Sequence, residues 1–287
     1  MGVKIFDAWC FCNEFESAFL RLKELDPIVD IFVICEHDRT FQGKPKPYYF
    51  EERKEEFAEF LPKIRLMHPR IPESAYANCW LVEAAQRAAM VDCLYDAAPD
   101  DIVILSDCDE IPSRRAVEYA AADLWCPVIL AQTQYLYFAN MRLKSDHMQA
   151  AIARRKWFSD PQQARNFMWD ASNSGAISWS TPWPRIEHGG WHFHSMGGPR
   201  RIREKFLSYS HTGVASKENC DLATIESRAL GGEDVTKMWK EWPGCEWVEI
   251  GSDHPIAIKE AIEKFPYLMP GEEWRAFADA CPNGGLE

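Results

Sequence analysis

A chain of 287 residues, 47% hydrophobic and with 12 Trp, is long enough to bury a full core. Its formal charge of −12 argues against a nucleic-acid partner, and a nucleotide ligand would need a cation to accompany it. The ten cysteines include no CxxC pair, and no apolar run reaches the roughly 18 residues of a membrane span, so the expected setting is a reducing cytoplasm.

Lys4 to Trp9 begins as a strand. Asn13 with Glu16 three residues on reads as a capping box, opening a helix whose inner face carries Phe15, Phe19, Leu22 and Leu25 and which Pro27 ends. Asp30 to Cys35 is a second strand, closing a β-α-β unit, with Glu36 at its carboxyl end. In the loop 37–50 two Lys-Pro pairs keep the chain extended, and Lys44 and Lys46 either reach phosphates or stand as surface lysines. Glu51 to Phe60 reads as a charged helix and Lys63 to Met67 as a third, edge strand. Trp80, Ala84, Ala88, Val91 and Tyr95 recur at helical spacing; Gln86 and Arg87 fall off that stripe. Arg87 is then either a solvated residue or a partner for a phosphate or carboxylate.

Ile102 to Leu105 is a short apolar run, the expected buried central strand, with Asp107, Asp109 and Glu110 directly beyond it. Open α/β sheets bind ligands outside the carboxyl ends of their strands. Residues two apart in extended chain share a side, so Asp107 and Asp109 are expected to face one divalent cation, Mg²⁺ or Mn²⁺. Ser113 caps a helix Arg114 to Ala122, and strands follow at Val128 to Leu130 and Gln134 to Phe138. Aromatics, among them Trp157, Phe167, Trp169, Trp179 and Trp191, crowd the middle of the chain. Glycines flank a short strand in which His192 and His194 share a face, and Gly189 and Gly190 would let the backbone approach a ligand closely. Helices are expected at Arg200 to Ser208 and Glu218 to Leu230, with a glycine turn at Gly231 to Asp234; beyond Trp247 the pattern is uninformative. The order β-α-β-α-β-α-β implies an α/β/α sandwich of Rossmann type with a mostly parallel central sheet.

Several stretches together resemble glycosyltransferase family 17: Phe6-Asp7 with Asn13-Glu14, Thr40 to Pro47 (TFQGKPKP), Ser106 to Pro112 (SDCDEIP) and Gly189 to Phe193 (GGWHF). The resemblance runs from about Lys4 to about Ser210. It includes a β-1,4-mannosyl-glycoprotein N-acetylglucosaminyltransferase that uses UDP-GlcNAc. It implies a GT-A-like fold, a UDP-sugar donor with UDP-GlcNAc as first choice, a carbohydrate acceptor, inversion at the anomeric carbon, and a metal–diphosphate motif at Asp107 and Asp109. His192 falls in the family's GWHF motif, whereas His194 stands where other members often differ. The absence of an anchor and stem suggests a bacterial or viral type. On this reading residues 1–287 form one domain, with a donor-binding half at about 1–125, a half that completes the metal and acceptor sites at about 126–250, and an unassigned tail.

The expected roles are Asp109 on the metal, Asp107 on the metal or the ribose, His192 as a further ligand, and Glu36, Lys44, Lys46 and Arg87 toward the donor. An inverting transfer needs a carboxylate to take the acceptor's proton. Glu110, Asp170, Glu187 and Asp234 are candidates, Asp234 first. Two alternatives remain at this stage, a phosphohydrolase of the haloacid dehalogenase type and a non-catalytic glycan-binding module.

Overall fold

Residues 2–173 and 183–277 are described by the structure, a computed structural model, with the side chains of 167 and 169–173 set aside. Trp179 lies outside these residues, as do the side chains of Phe167, Trp169 and Asp170. The first half of the chain runs β1 (Ile5–Phe11), α1 (Phe15–Leu25), β2 (Ile31–Glu36), α2 (Tyr49–Arg53), β3 (Ile64–Met67), α3 (Cys79–Ala89), β4 (Ile102–Leu105), β5 (Glu110–Pro112) and α4 (Arg114–Ala122). The second runs β6 (Val128–Leu136), β7 (Met141–Arg154), α5 (Pro161–Asn173), β8 (Arg185–His194), α6 (Gly198–Ser208), α7 (Leu222–Leu230), β9 (Cys245–Trp247), α8 (Ile258–Lys264) and α9 (Glu272–Ala276).

Among the described residues the strands form one sheet in the order β3-β2-β1-β4-β7-β6-β8-β5, with β9 beside one end of β7. The sheet is mixed. β3, β2, β1 and β4 are parallel, as the repeated β-α-β pattern requires; β7 then enters antiparallel between β4 and β6. Alternate residues feed two cores. Trp9, Phe32, Ile34, Ile102 and Ile104 meet α1, α4 and α8 on one face; Phe6, Ala8, Val33, Val103 and Leu105 meet Met90, Ala164 and Met168 on the other. The result is an α/β/α sandwich. A third core joins the end of β6 and the start of β7 to α6, α7 and Trp274.

Local chemistry moved several elements from their expected form. The Asn13–Glu16 capping box does not form: α1 begins after Glu14 with no side-chain cap. Glu16 is buried instead and binds Arg201 Nη1 at 2.9 Å and the Tyr267 hydroxyl at 3.1 Å. The helix expected at Glu51 starts at Tyr49, because the Glu36 carboxylate accepts from the Phe50 amide (3.0 Å) and caps it, and the chain tightens into a 3₁₀ turn at Lys54–Phe57. On α3 the buried face is the reverse of that expected: Trp80 is 45% exposed, while Gln86 and Arg87 are buried; Tyr95, beyond the helix, is 78% exposed. The two strands expected at 128–138 are one, β6, with a bulge between Leu130 and Gln132. β7 gave no sequence signal. Its Ala150, Ala151 and Ala153 have low strand propensity, yet they lie fully buried beside β4 and β6. No described helix is long and apolar enough to cross a membrane.

Candidate metal and nucleotide site

Between β1 and β4 the strand order reverses: the chain builds outward from β1 through β2 to β3, then returns to the other side of β1. Ligands bind at such switch points, outside the carboxyl ends of the strands. A cavity of about 620 Å³ opens there, lined by the end of β1 (Phe11 to Glu14), by α3, by Asp107 to Glu110 and by α6.

The turn after β4 is built as a fixed object. Glu110 N donates to Asp107 O at 3.1 Å, and the Glu110 carboxylate accepts from Asp107 N at 2.7 Å. Beneath it lies Arg21 of α1, fully buried and paired with Asp7 of β1 at 2.5 Å and 2.7 Å. The same guanidinium donates to the carbonyls of Asp107 (2.9 Å) and Glu110 (3.1 Å) and to the Ser106 hydroxyl (2.7 Å). Asp7 therefore acts through Arg21, holding the backbone that presents the acidic side chains.

That turn separates the two aspartates. The expectation that they face one cation assumed extended backbone; at Cys108–Asp109 the chain is turning. Both oxygens of Asp107 go to guanidinium groups, Oδ1 to Arg87 at 2.9 Å and Oδ2 to Arg165 at 2.7 Å. Arg165, on α5, also grips both carboxylate oxygens of Glu110 at 2.7 Å and 2.8 Å, and His147 Nε2 completes that carboxylate at 2.7 Å. Burial alone would raise the Glu110 carboxyl, but Arg165 and His147 hold it well below the usual carboxylate range.

Asp109 faces the other way. With His192 and His194 it places three candidate ligand atoms within 4.8 Å of one another. The β-strand register explains this: His192 on β8 stands beside Gln134 of β6 and Glu110 of β5, and His194 is two residues further on the same face. His192 Nδ1 lies 3.3 Å from Gln134 Oε1, and Gln134 Nε2 donates to Ser145 O at 3.1 Å, which fixes the amide's direction. Nδ1 thereby faces an acceptor, and the other ring nitrogen, Nε2, is aimed at the candidate site, 3.6 Å from Asp109 Oδ2. Burial, with Lys205 and His192 nearby, holds the His194 imidazole well below its usual range and neutral. Burial would raise the Asp109 carboxyl, but Lys205, His192 and His194 keep it ionised far below its ordinary value. One carboxylate and two imidazoles fit a divalent transition ion such as Mn²⁺ better than Mg²⁺, which prefers oxygen.

The other expected residues are distributed differently. Glu36 is buried as the cap of α2, and Lys46 Nζ turns onto it at 3.2 Å, so neither offers free charge to a donor. Lys44 Nζ donates to Leu207 O at 3.1 Å. Asp234 lies outside the cavity; its carboxylate accepts from Thr236 and Trp239 amides and fastens a turn. Glu187 is exposed and paired with Arg185. Glu110 is saturated by its partners, which removes it as a free base. Gly189 and Gly190 serve strand packing: a Cβ on Gly190 would lie 2.1 Å from Ile111 O. Sequence reasoning missed Arg165, His147, Gln134 and Lys205. Arg165 and His147 stand in segments with no motif, whereas Lys205 lay in an expected helix and Gln134 on an expected strand.

The family model for glycosyltransferase family 17 matches residues 1–276. The chain belongs to glycosyltransferase family 17. Among its relatives, human β-1,4-mannosyl-glycoprotein 4-β-N-acetylglucosaminyltransferase is 27% identical, over 93% of this chain and 55% of that one. The rat enzyme of the same name is 26% identical, over 90% and 53%. The chain thus spans about half the length of the curated relatives it matches. A solved mannosyltransferase from Pyrobaculum calidifontis, in complex with GDP-Man and Mn²⁺, overlays with a TM-score of 0.37 at 11% identity, covering 79% of this chain and 69% of that one. That overlay is too loose to argue from.

The family 17 stretch TFQGKPKP has a physical role here. Gly43 takes a positive φ of 80° and turns the strap back, where Arg39 bridges to Pro45. Gln42 Nε2 donates to the carbonyls of Phe206 (3.3 Å) and Tyr209 (3.1 Å). With Lys44 on Leu207, the strap satisfies carbonyls at the carboxyl end of α6, groups that a helix leaves without internal partners.

Proposed function

We propose that this chain is an inverting, metal-dependent glycosyltransferase that moves a sugar, GlcNAc as first choice, from a UDP-sugar to a hydroxyl of a carbohydrate acceptor. The observation that carries the reading is the Asp109–His192–His194 triad at the switch point of the sheet, inside a cavity large enough for a nucleotide sugar. Family membership supports the transfer chemistry, and the names of the relatives support GlcNAc.

In this reading Asp109, His192 and His194 hold the divalent ion. A bound ion there supplies Lewis-acid neutralisation of the charge that develops on the diphosphate leaving group. Asp107, held rigid by Arg87 and Arg165, presents its carboxylate to the ribose hydroxyls. The acceptor hydroxyl loses its proton to a carboxylate of the cavity wall, where Glu14, Glu83 and Glu204 stand. The haloacid dehalogenase alternative is set aside because the chain belongs to family 17.

Melting temperature with UDP, GDP and Mn²⁺ tests the donor, since a ligand that binds only the folded state raises stability by mass action. UDP should stabilise only when Mn²⁺ is present. A clear shift with GDP and none with UDP would overturn the donor assignment. Slow Mn²⁺-dependent hydrolysis across a panel of nucleotide sugars then identifies the sugar without an acceptor. A glycan-binding module would instead respond to glycan with no nucleotide.

A further inference from the structure

Lys205 stands within contact of the triad. Its Nζ lies 3.5 Å from Asp109 Oδ2 and 3.3 Å from His194 Nδ1. The helix that carries it is fastened at both ends. Near the amino end Arg201 binds Glu16 at 2.9 Å and the Asn13 carbonyl at 2.7 Å; at the carboxyl end Gln42 and Lys44 hold the terminal carbonyls. The backbone at 205 is thus fixed, while the side chain, 26% exposed and lining the cavity, has a flexible four-carbon stem.

An ammonium group and a divalent ion cannot share Asp109 Oδ2 and the space beside His194 without strong repulsion, because like charges at contact distance in a partly buried site are poorly screened. One must leave when the other enters. The wall carboxylates Glu14, Glu83 and Glu204 are present whether or not a ligand is bound; the acceptors that arrive together with the ion are the anionic oxygens of a ligand, and a nucleoside diphosphate brings several.

Resting on the reading above, we infer that Lys205 is the resident counter-ion of Asp109 in the unloaded protein and moves to the diphosphate when metal and nucleotide bind together. Lys205 opposes the metal when the metal comes alone and assists the diphosphate once the metal is in place. Metal and nucleotide therefore bind with positive coupling, and each raises the affinity for the other by the same factor.

The test is Lys205→Met, which keeps most of the stem and removes the charge. Mn²⁺ binding without nucleotide is measured by electron paramagnetic resonance of free Mn²⁺, and UDP binding at saturating Mn²⁺ by calorimetry. The variant should bind Mn²⁺ alone about tenfold more tightly and UDP about tenfold more weakly, the two constants moving in opposite directions. Lys205→Arg keeps the charge and should restore weak binding of the metal alone. If Lys205→Met leaves Mn²⁺ affinity unchanged or lowers it while the parent binds both ligands, this inference fails and the proposed function stands. If the parent binds neither Mn²⁺ nor UDP, both fail. A fall in melting temperature with the two constants moving together would make Lys205 merely structural.

Discussion

Asp107 and Asp109 are two residues apart and belong to different regions of the site. Asp107 lies on the arginine side, where Arg87, Arg165 and His147 surround two carboxylates and hold them in place. Asp109 lies on the histidine side, where two imidazoles and one ammonium face a single carboxylate. Permanent guanidinium charges make the first region rigid and already neutralised, suited to holding a shape. Two imidazoles and a lysine on a flexible stem make the second exchangeable, suited to taking an ion. A pair of acidic residues thus divides into a structural and a chemical half because one turn points them apart.

The largest effect should come from the histidine side. Asp109→Asn is expected to lower turnover about a thousandfold with the fold intact, since it removes the only carboxylate of the triad. Near-normal turnover at saturating Mn²⁺ would erase the distinction between the regions. On the arginine side Arg165→Met should instead cost about 3 kcal/mol of stability in urea denaturation, because Glu110 and Asp107 lose a shared cation in a buried place. If stability changes little while metal affinity collapses, the two regions are one.

A smaller effect sharpens the boundary between them. Gln134→Leu leaves every candidate ligand in place but frees the His192 ring, so Mn²⁺ affinity should fall about 10- to 100-fold while turnover at saturating metal is retained. Equal losses in both would make Gln134 part of the fold alone. The smallest effect is in pH. Burial lowers the His147 imidazole and, with Lys205 and His192, that of His194. The unfolded chain then binds protons that the folded chain refuses. Stability of the metal-free protein should therefore fall by about 1 kcal/mol per group as pH drops below about 6.5. A melting temperature that stays flat from about pH 7.5 to 5.5 would show that both imidazoles protonate freely in the folded state.

Legibility followed the range of the interactions. β1, α1, β2 and β4 declared themselves through local periodicity and a proline stop, and Ser113 through its cap on α4. His192 and His194 could be paired from the sequence because strand alternation is a two-residue rule. Arg87 could not be placed from the helical stripe on α3, because its burial is bought by Asp107, twenty residues away in the chain. Arg165 lies farther still, at 58 residues from Asp107. Lys44 and Lys46 carried the right charge for phosphate, but Glu36 and the end of α6 claim them first. β7 was hidden because alanines form a strand only where neighbours leave room for nothing larger.

Trp274 is fully buried in the third core, and its carbonyl oxygen presses so close to Gly198 that a Cβ there would lie 2.0 Å away. The wall behind α6 is thus supplied by a segment that leaves the ribosome after every strand of the sheet. During synthesis the parallel half, the strap and the β6 and α7 side of the third core are all made first, but the side of α6 that Trp274 covers waits until residue 274 emerges. A nascent chain would expose that side of α6 from the time residue 208 is made until residue 274 follows, and premature termination in that interval, once β9 is made, would leave a product with a finished sheet and an unfinished wall.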